Sequence, residues 1–124
     1  MHDATAVLKQ LYDRFNCRDI DGVLAALADD VVWANGMDGG HVVGHAAVRA
    51  YWTRQWSVVS PHVAPVAFRE APDGVVIAEV RQTVLDLDGN PLEGQAHGLK
   101  DRTVEHVFHF NAGRIVRFDI AEAL

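Results

Sequence analysis

The sequence predicts an α+β domain, with three helices in the N-terminal half and antiparallel strands in the C-terminal half. Two observations carry this reading. Up to Pro61 the apolar residues recur at three- and four-residue spacing, the period of an amphipathic helix. Beyond Pro61 the chain becomes rich in Val, Phe and Ile, in runs separated by turn residues.

Each element has its own signal. Ala4, Val7, Leu8, Leu11, Tyr12 and Phe15 form the apolar stripe of a first helix of about four turns. Asp19 is placed to accept from the free N–H groups of a second helix, whose stripe is Ile20, Val23, Leu24 and Leu27. Asp29-Asp30 breaks that stripe, and Val31-Val32-Trp33 opens a strand. Asn35 to Gly40 is turn-rich. A third helix opens near Gly44, shows Val48, Tyr51, Trp52, Gln55 and Trp56, and ends before Pro61. Strands follow over residues 62–70, 75–87, 103–110 and 115–120. Between them lie the turns Pro72-Asp73-Gly74 and Asn111-Ala112-Gly113, and the hairpin signal Asp88-Gly89-Asn90. With no repeat, low-complexity tract or linker, residues 1–124 read as a single domain.

Bulk properties narrow the function classes. A length of 124 residues supports a sizeable core. A net charge of −6 argues against a nucleic-acid surface, which needs clustered Lys and Arg. No apolar run approaches the roughly 20 residues of a membrane span. Met1-His2-Asp3-Ala4 lacks the basic and apolar regions of a signal peptide, so a cytoplasmic location is expected. The single Cys excludes an intrachain disulfide, and Cys17 reads as a small, half-buried residue near a helix end. The seven His do not form a metal set, since His106 and His109 face opposite sides of one strand and no HExxH occurs. No cofactor motif is present: neither a phosphate-binding Gly loop after a strand nor a GxSxG elbow.

The succession from Asn16 through Asp29-Asp30-Val31-Val32-Trp33 to Gly44-His45-Ala46-Ala47 resembles the nuclear transport factor 2-like (NTF2-like) superfamily, which includes ketosteroid isomerases, scytalone dehydratase and the SnoaL-like polyketide cyclases. The resemblance implies a cone: a curved antiparallel sheet packed on the three helices, enclosing a cavity. It also implies a homodimer formed through the outer sheet face, where Glu105, Val107, His109 and Arg117 would sit.

Alternation along the strands then selects side chains for that cavity. Val31, Trp33 and Asn35 share one face. Val104, His106, Phe108 and Phe110 share another, and Val116, Phe118 and Ile120 point inward on the last strand. Gln82 shares a face with Val80 and Val84, opposite Glu79, Arg81 and Thr83, and the sequence leaves open which of these faces is inner. Trp33, Tyr51, Trp52 and Trp56 are candidates to stack on a flat ligand, or to serve only as core.

The comparison with ketosteroid isomerases aligns without gaps from Ala28 to Val48. It places Asn35 at their Asp base, His106 at their oxyanion Asp, and Leu11, next to Tyr12, at their oxyanion Tyr. A neutral amide does not abstract a proton from carbon, so the expected chemistry departs from theirs. His106 is the expected general base, with Asn35 and Tyr51 polarising a substrate oxygen. The expected site comprises His106 and Asn35 as catalytic residues. Trp33, Tyr51, Trp52, Trp56, Gln82, Phe108 and Phe118 contact a small hydrophobic, polyketide- or steroid-like molecule. The expected activity is cofactor-independent lyase, isomerase or cyclase chemistry. The alternative is a non-catalytic protein that holds a hydrophobic ligand. The segment 93–101, with His97 and Lys100, is expected as a loop near the cavity mouth or a strand extension.

Overall fold

The computed structural model describes residues 4–35, 39–90 and 102–122, so the segment 93–101 and Asp38 lie outside the described residues. The elements run α1 (Ala4–Asn16), α2 (Ile20–Leu24), β1 (Leu27–Ala34), β2 (His41–Val43), α3 (His45–Trp56), β3 (Ser60–Ala71), a 3-10 turn (Pro72–Gly74), β4 (Val75–Leu85), β5 (Arg102–Asn111) and β6 (Arg114–Glu122). No helix among the described residues is long and apolar enough to cross a membrane.

The helices are fixed by their ends as much as by their stripes. α1 buries Leu8, Leu11 and Tyr12 and stops where Arg18 turns left-handed, with φ 64°. That conformation costs a non-glycine residue about 1 kcal/mol. It is offset by the Arg18 guanidinium, which donates to Phe15 O (3.3 Å), Ser60 Oγ (2.9 Å) and Pro61 O (2.8 Å) and lies 5.0 Å from the Trp56 ring. Asn16 adds a strand-like pairing, donating to Val63 O (2.8 Å) and accepting from Val63 N (3.0 Å). The end of α1 is thereby pinned across the start of β3. Asp19 then caps α2, accepting from Gly22 N at 3.0 Å.

The six strands form one curved, unclosed sheet in the order β2-β1-β6-β5-β4-β3. All neighbours pair antiparallel except β1 and β6, which are parallel. Register shifts fall between Leu27 and Val32, between Pro65 and Ala67, and between His109 and Phe110. Such irregularities bend a strand and increase its twist, which wraps the sheet over α1 and α3.

Several local expectations shift. α2 ends at Leu24, and β1 begins at Leu27, because Leu27 pairs with Ile115 of β6 and is fully buried there. The turn-rich stretch after Asn35 leads into the short strand β2, which pairs Val43 with Val32. The shift near Phe110 sets that residue opposite Ile115, so Ile115 is fully buried and Val116 only half-buried. Cys17 is exposed rather than half-buried.

Along β4 the even-numbered residues are buried, which settles the orientation of that strand: Val80, Gln82 and Val84 face inward. The core runs between the inner sheet face and the helices. Trp33 stacks on Phe118 (ring centroids 4.1 Å apart) and meets Trp52 edge-on at 5.2 Å. Each aromatic pair of this kind contributes about 0.5–1.5 kcal/mol beyond its buried area.

Candidate functional site

The inner faces of α1, α3, β1, β3, β4, β5 and β6 converge on one cavity of about 50 Å³ that opens to solvent. Its wall is mostly aromatic and aliphatic. The polar side chains set into it are Tyr12, Tyr51, Gln55, Gln82 and His106. Among the described residues the wall contains no carboxylate, ammonium or guanidinium group. No group of three or more His, Cys, Asp or Glu among them is placed to hold a metal ion.

His106 sits mid-way along β5 between Val104 and Phe108, on the strand's inner face. Its ring packs edge-on against Phe118 at 4.9 Å and is only 6% exposed. Its Nδ1 lies 2.8 Å from the Tyr12 hydroxyl. Burial pushes the imidazole down to about 3, so the ring is neutral at physiological pH. The same desolvation raises the Tyr12 phenol well above its ordinary value, which keeps it protonated.

The hydrogen-bond network assigns the proton positions. Tyr12 has no hydrogen-bond partner other than His106 among the described residues. If Nδ1–H donated to the phenol oxygen, the phenolic hydrogen would be buried without an acceptor. The arrangement that satisfies both groups has Tyr12 O–H donating to Nδ1 and the second proton on Nε2. Nε2–H then has no described partner and is the ring's remaining donor in the cavity wall. Chemically, the pair offers a neutral imidazole N–H whose donor strength is set by a buried phenol behind it.

A second polar pair comes from α3. Tyr51 and Gln55 are one helical turn apart, and Gln55 Nε2 donates to the Tyr51 oxygen at 2.9 Å. Gln55 is 3% exposed, and its Oε1 has no hydrogen-bond partner among the described residues.

The structure brings Trp33, Tyr51, Trp52, Gln82, His106, Phe108 and Phe118 together around the cavity. Asn35 and Trp56 are not among its lining residues. Asn35 follows the end of β1, where its N–H donates to Gly40 O and its carbonyl accepts from Gly39 N, so the backbone turns away. Trp56, the last residue of α3, packs on Phe15 and Trp52. Asp119 lies on the side of β6 away from Phe118, 2.7 Å from His41 Nε2 and 2.7 Å from Arg117 Nε.

Two polar cavity residues lie outside the expected set, Tyr12 and Gln55. Helical spacing already places both on buried faces, with Tyr12 four residues after Leu8 and Gln55 four after Tyr51.

This fold and cavity define a class, the α+β cones of the NTF2-like superfamily. Within that class, a family model for the SnoaL-like domain matches residues 8–118, and the chain belongs to that family. No curated protein matches the chain. Solved structures do. An NTF2-like protein of unknown function from Burkholderia pseudomallei is 27% identical, with a TM-score of 0.79 over 99% of this chain and 92% of that one. TerC, crystallised with polyporic acid, is 23% identical, with a TM-score of 0.77 over 96% and 90%. A candidate polyketide cyclase from Sinorhizobium meliloti is 19% identical, with a TM-score of 0.75 over 93% of both chains.

Proposed function

We propose that this protein binds a small, flat, hydrophobic molecule bearing a carbonyl oxygen and performs cofactor-independent chemistry of the cyclase, isomerase or lyase kind on it. The observation that supports this most directly is the buried Tyr12–His106 pair in an aromatic cavity. Membership of the SnoaL-like family supports the same class.

His106 acts here as a hydrogen-bond donor rather than as the general base expected from the sequence. Its Nδ1 lone pair is engaged by Tyr12, and an imidazole with a pKa of about 3 is a weak base. A neutral N–H in a dry pocket polarises a carbonyl and stabilises charge that develops on its oxygen. That assistance suits substrates whose C–H bonds are already activated, such as the β-dicarbonyl units of polyketides. The aromatic rings of Trp33, Trp52 and Phe118 stack on or enclose the substrate's flat body. As a homodimer, two copies would meet through the outer sheet face, where Ile77 and Val107 form a half-exposed apolar cross-strand pair.

The test is a turnover screen of small polyketide-like and steroid-like ketones with wild type, His106→Ala and Tyr12→Phe. His106→Ala should lower turnover of any accepted substrate by about 100- to 1000-fold, the range for loss of one oxyanion donor, and Tyr12→Phe by less. Unchanged turnover by His106→Ala would reject the catalytic role. A second reading, a non-catalytic ligand-binding protein, is favoured by the lack of a proton-abstracting carboxylate among the described wall residues. It predicts tight retention without chemical change, and product formed on incubation rules it out.

A further inference from the structure

We infer that Gln55 selects the ligand, by accepting a hydrogen bond from an O–H group at a second position on the molecule whose carbonyl meets His106. This rests on the ligand-cavity reading above and adds a substrate class to it: flat hydroxyaryl ketones.

Gln55 lines the cavity and is almost wholly buried, yet only one end of its amide is paired. A Gln amide carries two donor hydrogens on nitrogen and an acceptor oxygen with two lone pairs. Its Nε2 donates to the Tyr51 oxygen, and its Oε1 receives nothing from the described residues. A buried acceptor without a donor is costly, and apolar cores normally exclude such a group. A Leu or Met at this helix position would fill the same wall without that penalty. The amide is consistent with a site that a ligand completes.

The two polar subsites differ in sign. His106 presents a donor, Nε2–H, and so takes an acceptor oxygen. Gln55 carries a buried acceptor, Oε1, with no donor among the described residues, and a donor hydrogen would complete it. They stand on separate elements, β5 and α3, with the aromatic wall of Trp33, Trp52 and Phe118 around the same space. The complementary molecule carries a carbonyl at one position, a hydroxyl at another, and a flat apolar body between. A site built to hydrogen-bond a ligand hydroxyl rejects the analogue lacking it, because its own buried group is then left unpaired.

The test uses 6-hydroxy-1-tetralone and 6-methoxy-1-tetralone, which share rings and carbonyl and differ in the donor. Binding is followed by tryptophan fluorescence and calorimetry. Wild type should prefer the hydroxy compound by at least about tenfold, the effect of one buried hydrogen bond. Gln55→Met should abolish that preference while still binding the methyl ether. Gln55→Glu keeps an acceptor oxygen in the same shape and should retain the preference, which decides the matter if the Met variant does not fold. A preference that survives in Gln55→Met, or vanishes in Gln55→Glu, overturns the role of Gln55. Equal binding of both compounds by wild type also overturns it, while leaving the cavity reading intact. Failure of wild type to bind either compound overturns both.

Discussion

His106 should make this protein sensitive to acid well above the pH at which carboxylates titrate. In the unfolded chain its imidazole takes up a proton near its ordinary value of 6.5, and in the folded protein only near 3. Between those limits the unfolded state binds more protons, so stability falls as the pH falls. The contribution is fully present above 6.5, declines below it, and is entirely lost at about 3. Each pH unit below 6.5 removes about 1.4 kcal/mol. Going from about pH 8 to about pH 5 therefore costs about 2 kcal/mol, a large share of a typical stability of about 5–15 kcal/mol. The assay is urea unfolding at both pH values for wild type and His106→Asn, which carries no titrating ring. The variant should be less stable at high pH, because Tyr12 loses its designed partner, but it should lack the acid-dependent loss. Subtracting its pH dependence from that of wild type removes the carboxylate contributions common to both. If wild type and variant lose the same free energy between these pH values, His106 is not the buried neutral group described here.

Two further outcomes test the scaffold. Gly74 has φ +77°, and a Cβ there would stand 2.9 Å from the Phe110 carbonyl oxygen, so Gly74→Ala should cost about 2 kcal/mol in thermal unfolding, from left-handed strain and a backbone clash. A variant that unfolds like wild type would contradict that geometry. Light scattering on the purified protein should report two copies per particle, with Val107→Lys shifting it to one, and a monomeric wild type would remove the dimer from the account.

The sequence makes the architecture legible where signals are local. Helical spacing marks α1 and α3, alternation marks β4 and β5, and Asp19 marks the start of α2. It does not reveal the parallel pairing of β1 with β6, which joins the two ends of the chain and leaves no local trace. Nor does alternation survive the irregularity near Phe110, where burial passes from Val116 to Ile115. The site shows the same division. His106 and Phe108 follow from the strand period, and Gln82 from the same period once the inner face of β4 is known. Asn35 was expected to continue the inward face of β1, but the strand ends at Ala34 and a turn begins. Tyr12 escaped because the family comparison pointed to its neighbour Leu11, although both line the cavity. Its meeting with His106 spans 94 residues of sequence. Such a contact arises from how α1 is pinned across β3, which no short-range pattern encodes.

The central claim is that His106 is a neutral imidazole with its proton on Nε2, supported by Tyr12 and available to a ligand carbonyl. Long-range nitrogen–proton NMR of the histidine rings tests it directly, at about pH 6 and with or without 6-hydroxy-1-tetralone. The account predicts a neutral His106 protonated on Nε2, an altered pattern in Tyr12→Phe, and a shift of the Nε2 signal when the ketone is added. A His106 that carries both protons at that pH, or holds its proton on Nδ1, or ignores a bound ketone, would contradict it.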